Sequence, residues 1–285
     1  GIMSMQRIAN YGSFLQAYAL KQLIEEVGCN VEFVDYHVGA PVITENADSK
    51  NKVVRKIEKG LETFQYRAPL AHKLSFIRYK QSFAQKYMPL LGIADEMNYN
   101  PTVDCLVIGS DEVFNCIQKN SNVGYSPELF GKNNHAKKLI TYAASFGNTT
   151  LIKLEKYKKA NEVGALLKKF DAISVRDANS GTIVEQLTGK EPVYNLDPVL
   201  TYDYMNCCDK IPQVQTNEKY LILYAYAGRI SNDEADWIAA YAKKKNLNVY
   251  AIGGIQKCAD RFVDCSPFEV LAYFRNAEEV ITDTF

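Results

Sequence analysis

Apolar runs of strand length alternate with segments of helical periodicity along most of this chain. Residues 2–5 form a short apolar run, and residues 13–27 follow with apolar positions at helical spacing. Further apolar runs predict strands at residues 31–36, 104–108, 139–143, 172–175, 193–196, 220–224, 248–252, 261–263 and 280–282. Strands that alternate with helices of about 10–15 residues are typical of parallel βαβ units. The pattern therefore predicts an α/β fold with parallel sheets.

Two segments interrupt this alternation and indicate how the chain divides. Residues 37–100 are polar at first and then show helical periodicity at 52–64 and 72–87, which predicts a helical insertion. The insertion either covers a cleft as a lid or packs on a sheet as a helical hairpin. Residues 208–218 lack apolar periodicity and are typical of a linker. We therefore expect an N-terminal lobe over residues 1–207 and a C-terminal lobe over residues 219–285.

Helix starts are recognisable from a serine followed three residues later by glutamate or glutamine. This spacing is the signature of a capping box, in which each side chain binds the other residue's backbone N–H. The predicted capping boxes are Ser13 with Gln16, Ser231 with Glu234, and Ser266 with Glu269.

Composition excludes several classes of protein. Lysine plus arginine and aspartate plus glutamate both number 33, so no overall charge attracts nucleic acid or an anionic membrane. No apolar run approaches the roughly 20 residues of a membrane span, and the N-terminus lacks the basic start of a secretory signal. The seven cysteines contain no C-x-x-C pair, and the three histidines lie far apart. We expect a cytoplasmic protein without a metal site.

The apolar run at residues 104–108 ends in Gly109, Ser110 and Asp111. In open α/β sheets, ligands bind at the carboxyl ends of the strands. A glycine there lets a ligand approach the backbone, and Asp111 offers a carboxylate as a general base or as a partner for sugar hydroxyls. Alternatively, Asp111 caps a helix. We expect Asp111 to be catalytic and Gly109 and Ser110 to bind substrate.

A second polar loop leads from the first predicted strand into the first helix and contains Asn10, Gly12 and Ser13. The first N–H groups of a helix have no partner within it, and together with the helix dipole they favour an anion. We expect these three residues to bind substrate. The alternative is an ordinary connecting loop with a good helix cap.

Two more strand ends carry polar groups, namely Ser145 with Gly147 after residues 139–143 and Arg176 after residues 172–175. The planar guanidinium fork suits a carboxylate or a phosphate. We expect Arg176 to be catalytic, and Ser145 and Gly147 to bind substrate. The alternative for Arg176 is a surface ion pair with Asp177 or Glu185.

Later in the chain, Arg229 precedes the predicted helix start at Ser231 and could contact a phosphate, so we expect it to bind substrate. Asp197, which is followed by Pro198, predicts a turn that shapes a cleft. No phosphate-binding loop, dinucleotide fingerprint or nucleophile elbow occurs in the sequence.

In this order, the strand ends resemble the polysaccharide pyruvyl transferase family. The resembling stretches are residues 10–20, 104–111, 142–147, 173–177, 196–198 and 277–285. The resemblance implies two Rossmann-like lobes of the GT-B type, with the helical insertion in the first lobe and an active site between the lobes.

The resemblance also implies an activity, the transfer of a pyruvyl group from phosphoenolpyruvate to two hydroxyls of a cell-surface polysaccharide as a cyclic ketal. The expected partners are then phosphoenolpyruvate, as donor substrate, and a glycan or lipid-linked sugar acceptor. No further cofactor and no nucleic acid are implied, and peripheral association with a membrane is compatible with such an acceptor.

Two departures from the family pattern concern the site. The family usually has tryptophan shortly after Gly-Ser-Asp, where this chain has Phe114. The family's last strand runs into a Ser-Phe-His-Gly stretch, whereas this sequence stops at Phe285. We therefore expect the sequence to be part of a longer protein, with the general-acid histidine beyond Phe285. Two alternatives stay open: a nucleotide-sugar glycosyltransferase with the same lobes, and a non-catalytic module of an exopolysaccharide pathway.

Overall fold

The computed structural model describes residues 1–40, 43, 63–99, 101–118, 123–205 and 208–284. The chain forms two compact units, each with its own parallel sheet. The first comprises residues 1–8, 13–47 and 88–203, and the second comprises residues 9–12, 48–87 and 204–285. The predicted α/β class with parallel sheets is confirmed. Most of the helix predicted at residues 52–64 lies outside the described residues.

The helices of the two units alternate with the strands described below. In chain order, the described helices are α1 (Tyr11–Glu26), α2 (Leu70–Tyr87), α3 (Leu151–Lys156), α4 (Ala160–Leu167), α5 (Ala178–Thr188), α6 (Pro198–Thr201), α7 (Asn232–Lys245) and α8 (Pro267–Asn276). Short 3₁₀ helices lie at Met88–Leu91, Pro127–Phe130 and Cys208–Lys210.

Five parallel strands form the sheet of the first unit, in the spatial order β1 (Ile2–Met3), β2 (Cys105–Asp111), β3 (Lys138–Ala144), β4 (Ser174–Val175) and β5 (Val193–Tyr194). Phe33 forms a parallel bridge with Ile2, which also pairs with Val107 of β2. The chain therefore goes to one side of β1 at Phe33 and returns on the other side at β2. Such a reversal marks the crevice where open sheets bind ligands. The strand predicted at residues 31–36 is reduced to isolated bridges.

The centre of the first unit is apolar on both faces of its sheet. Ile108 of β2 is fully buried, and the rings of Phe114, Phe130 and Phe146 pack together at centroid distances of 4.7–6.2 Å. A parallel strand covered on both faces has a continuous apolar sequence, as residues 105–108 have. This packing holds the ends of β2 and β3, and hence the polar residues that follow them.

Four parallel strands form the sheet of the second unit, in the order β8 (Arg261–Phe262), β7 (Asn248–Ile252), β6 (Tyr220–Tyr224) and β9 (Glu279–Thr282). The chain again reverses direction across the sheet, here between β6 and β9. Helix α2 packs against this sheet: the ring of Phe262 lies 5.6 Å from that of Phe76 and 6.0 Å from that of Tyr79. A lid function for residues 37–100 stays a prediction.

Two of the three predicted capping boxes are confirmed. Ser231 accepts from the Glu234 N–H and Ser266 from the Glu269 N–H, and both glutamates return the bond. The box predicted at Ser13 is wrong, because α1 begins at Tyr11 and Ser13 lies inside its first turn. The Gln16 amide donates instead to the Ser13 carbonyl and to the Ser4 hydroxyl.

Replacing Ser266 with alanine should lower the stability of the second unit by about 1 kcal/mol, because the Glu269 N–H loses its acceptor at the start of α8. The midpoint of urea unfolding measures this. Ser82→Ala is the matched control, since Ser82 lies inside α2 and caps nothing. Equal midpoints for the two variants would contradict the role of the cap.

Candidate functional site

The carboxyl ends of the strands in the first unit bring together one arginine and two aspartates. Nη2 of Arg176 lies 3.4 Å from Oδ1 of Asp111, and Nη1 donates to Oδ2 of Asp197. The alternative for Arg176, a surface ion pair with Asp177 or Glu185, is therefore wrong. The sequence predicts only a turn at Asp197, yet this residue is the most closely held partner of the arginine.

The two aspartates differ in how they are held. The Asp197 side chain is 5% exposed, and its Oδ1 accepts from the Val199 N–H at 3.0 Å, which caps α6. The Asp111 side chain is 22% exposed, similar to the 23% of Arg176. Asp197 thus belongs to the framework, whereas Asp111 and the guanidinium reach solvent.

Asp111 is the last residue of β2 and has a positive φ of 84°. It does not cap a helix, so that alternative is wrong. Residues other than glycine take this conformation rarely, and such residues cluster at functional sites. The Asp111 carbonyl accepts from the Ser145 N–H at 2.9 Å, and Oδ1 accepts from the Glu112 N–H at 2.8 Å. These two hydrogen bonds hold the Asp111 backbone and its carboxylate at the end of β2.

Ser145 lies beside this cluster, but its side chain is bonded to neighbouring protein groups. Its hydroxyl donates to Oδ2 of Asp177 at 2.7 Å and accepts from the Gly147 N–H at 2.9 Å. Asp177 also caps α5 by accepting from the Ser180 N–H. Gly147 has a φ of 52°, and a Cβ there would lie 2.5 Å from a Glu112 carboxylate oxygen. Substrate contacts by Ser145 and Gly147 stay a prediction.

Gly109 and Ser110 lie within β2, which continues past the predicted end at residue 108. Ser110 is fully buried and its hydroxyl donates to the Gln16 side chain at 2.5 Å. A Cβ on Gly109 would lie 2.2 Å from the Tyr142 carbonyl oxygen of β3. Close packing of two strands thus explains the glycine without a ligand, and Ser110 anchors α1 to the strand.

The loop of residues 9–12 belongs to the second unit, whereas Ser13 belongs to the first. The Tyr11 hydroxyl donates to the Cys265 carbonyl at 2.8 Å, which anchors the start of α1 to the segment after β8. The Tyr224 hydroxyl at the end of β6 would lie 4.0 Å from a Cβ at Gly12, and burial raises the pKa of that hydroxyl. Oδ1 of Asn10 would lie 3.6 Å from a Cβ at Gly12. Asn10 and Gly12 are thus placed at the carboxyl edge of the second sheet.

Arg229 lies in the crevice where the second sheet reverses direction. Its guanidinium carbon is 4.5 Å from the centroid of the Tyr226 ring, and its Nη1 is 3.8 Å from Oδ2 of Asp283. Oδ1 of Asp283 accepts from the Tyr226 N–H at 3.3 Å. The Arg229 side chain is 58% exposed, so its charge is available to an anion. The sequence predicts a binding role for Arg229 but not for Asp283, which directly follows β9.

Lys80 adds a positive charge beside the loop of residues 9–12. Its Nζ donates to the Ala9 carbonyl at 3.2 Å and lies 5.7 Å and 5.5 Å from the ring centroids of Phe76 and Tyr79. Although the side chain as a whole is exposed, the loss of solvent around the ammonium lowers the pKa of Lys80. Periodicity marked this residue only as part of a helix.

Comparison with known families agrees with these arrangements. The chain matches the polysaccharide pyruvyl transferase family over residues 10–285, which is nearly its whole length. It belongs to the polysaccharide pyruvyl transferase family. No curated protein matches the chain closely enough to count as a relative.

The family assignment makes the chain a transferase that acts on a polysaccharide acceptor. Phe114, where the family usually has tryptophan, is fully buried between Phe130 and Phe146, so its ring has a role in the core. Among the described residues, no group of three or more histidine, cysteine or acidic side chains is placed to hold a metal ion. Nor does any helix in the described ranges have the length and apolar character to cross a membrane.

Proposed function

We propose that this pyruvyl transferase takes its pyruvyl group from phosphoenolpyruvate and joins it to two hydroxyls of a glycan as a cyclic ketal. The observation that carries the proposal is the cluster of Arg176, Asp111 and Asp197 at the strand ends of the first sheet. It presents a partly exposed cationic fork next to a partly exposed carboxylate. The cationic fork suits a donor with a carboxylate and a phosphate, and the carboxylate of the cluster suits the activation of a hydroxyl.

Each step of ketal formation has a group that suits it. A proton added to the methylene carbon of the enolpyruvyl group leaves cationic character on the adjacent carbon. One acceptor hydroxyl attacks that carbon and gives its proton to Asp111. A second hydroxyl then displaces phosphate, which leaves with the proton of that hydroxyl, and the ring closes. Arg176 binds an acidic group of the donor, and the family resemblance gives the first protonation to a histidine.

The second unit offers further groups for the substrates. In the proposal, Arg229 binds a phosphate or a carboxylate, and Lys80 adds a positive charge near Asn10 and Gly12. Ser13, inside the first turn of α1, stays a candidate for substrate contact.

The test is the release of phosphate from phosphoenolpyruvate by the full-length protein with candidate acceptor glycans. We expect release to depend on the acceptor and the product to gain one carboxylate per phosphate released, as measured by mass spectrometry. An acceptor with one hydroxyl of the pair methylated is the control and should give no ketal, because ring closure needs both oxygens. Phosphate release that is equal with and without acceptor would contradict the proposal, as would a thermal shift with UDP but none with phosphoenolpyruvate.

A further inference from the structure

Arg176 is held by two carboxylates that are not equivalent. Asp197 is 5% exposed and is fixed by a second hydrogen bond from the Val199 N–H. Asp111 is 22% exposed and lies 3.4 Å from the guanidinium, the longer of the two contacts. An entering anion can therefore reach the Nη2 side of Arg176, where Asp111 lies, but not the Nη1 side, which Asp197 occupies.

An acidic group of the donor has the same charge and the same oxygen acceptors as the Asp111 carboxylate. Two carboxylates already face a single guanidinium, so a third anion beside them would meet repulsion from both. Replacement of Asp111 removes that repulsion and keeps the arginine paired. The Ser145 N–H holds the Asp111 carbonyl, so the exchange is a rotation of the side chain, which also gives up the 2.8 Å bond from the Glu112 N–H to Oδ1.

We propose that the donor's acidic group replaces Asp111 on Nη2 of Arg176 while Asp197 keeps its hold on Nη1. Once released, the Asp111 carboxylate accepts the proton of the acceptor hydroxyl. At the same time, the oxygen of that hydroxyl bonds to the donor carbon. Asp197 is then a positioning residue, and Asp111 is a base only when donor is bound. This inference rests on the proposed function and adds to it an order of events, with the donor bound before the acceptor is activated.

The exchange predicts that substitutions of the two aspartates change the Kd for phosphoenolpyruvate in opposite directions. Asp111→Asn removes the competitor, so the Kd for phosphoenolpyruvate should fall about 2- to 5-fold, on the scale of a partly exposed ion pair. The same variant should lose about 10²–10⁴-fold in kcat, because an amide cannot accept the proton. Asp197→Asn frees the arginine to pair more fully with Asp111, so the Kd should rise about 10-fold or more.

Isothermal titration of the full-length protein with phosphoenolpyruvate, with no acceptor present, measures these constants. Asp171→Asn is the charge-matched control, because Asp171 is an exposed aspartate that pairs with Lys138 at the amino end of β3. Its Kd should stay within about 2-fold of the wild-type value. A purely structural role for the two aspartates predicts the same direction of change for both variants.

A lower Kd for Asp111→Asn together with a higher Kd for Asp197→Asn supports the exchange. An unchanged or higher Kd for Asp111→Asn overturns it. If Asp197→Asn does not fold, the comparison of Asp111→Asn with the wild type and the control still decides the matter. Failure of the wild type to bind phosphoenolpyruvate would overturn the proposed function and the exchange together, whereas binding with the wrong sign for Asp111→Asn overturns the exchange alone.

Discussion

Arg176→Ala should lower kcat/KM for phosphoenolpyruvate by about 10²–10³-fold, which corresponds to about 2.7–4 kcal/mol of lost transition-state stabilisation. The side chain is 23% exposed and lies between Asp111 and Asp197, so an acidic group that it binds is partly removed from water. Negative charge on the phosphate increases as it leaves the donor, and the guanidinium stabilises that charge. Steady-state assay of phosphate release by the purified variant measures the effect.

Loss of folding must be separated from loss of activity in this experiment. Removing the arginine leaves the Asp197 carboxylate buried without its charged partner, which typically costs about 3–5 kcal/mol of stability. The double variant Arg176→Ala with Asp197→Asn removes that buried charge, so it should regain stability but not activity. Arg176→Lys keeps the charge without the planar fork and should recover only part of the rate. Wild-type turnover by a folded Arg176→Ala protein would remove this residue from the mechanism.

Gly109→Ala should lower the stability of the first unit by about 2–5 kcal/mol. Gly109 has a φ of 129°, which an alanine rarely adopts. A Cβ there would also lie 2.2 Å from the Tyr142 carbonyl oxygen, so β2 and β3 would have to separate where they carry Asp111 and Ser145. The urea unfolding midpoint of the first unit measures the effect.

Gly189→Ala is the matched control for this experiment. Gly189 also has a positive φ, 75°, but nothing lies within 4 Å of a Cβ at that position. Its replacement should cost only about 1–2 kcal/mol, the conformational part of the penalty. If the two variants lose the same stability, the close approach of the strands does not explain Gly109. A role of Gly109 in ligand binding would then be favoured.

The sequence predicted the second sheet better than the first. The apolar runs at residues 220–224 and 248–252 coincide with β6 and β7. The run at residues 31–36 includes Glu32 and Asp35 and forms only isolated bridges at the edge of the first sheet. Periodicity shows what a segment buries, not how many of its N–H groups find a partner strand.

The start of α1 was misjudged for a related reason. Ser13 and Gln16 have capping-box spacing, yet Tyr11 begins the helix because its hydroxyl bonds to Cys265, 254 positions later in the chain. In this case a long-range contact overrides a local signal. The boxes at Ser231 and Ser266 are as predicted, since their bonds are entirely local.

The candidate site was predictable in its residue types but not in its pairs. Strand ends pointed to Asp111 and Arg176, which the structure brings together. Asp197 was missed as the partner of Arg176, because a pairing across 21 positions leaves no trace in one sequence. Its position after a strand of the same sheet could still have indicated Asp197 as a site residue. Ser110 and Gly109 carried the same signal, but the structure accounts for them by packing inside β2.

A crystal structure of the full-length protein soaked with phosphoenolpyruvate would show whether the donor binds Arg176 in place of Asp111. We expect a carboxylate or phosphate oxygen within hydrogen-bond distance of the Arg176 guanidinium, with Asp111 moved off Nη2 and Asp197 still in place. Donor bound elsewhere, with the 3.4 Å contact between Arg176 and Asp111 intact, would contradict this mechanism.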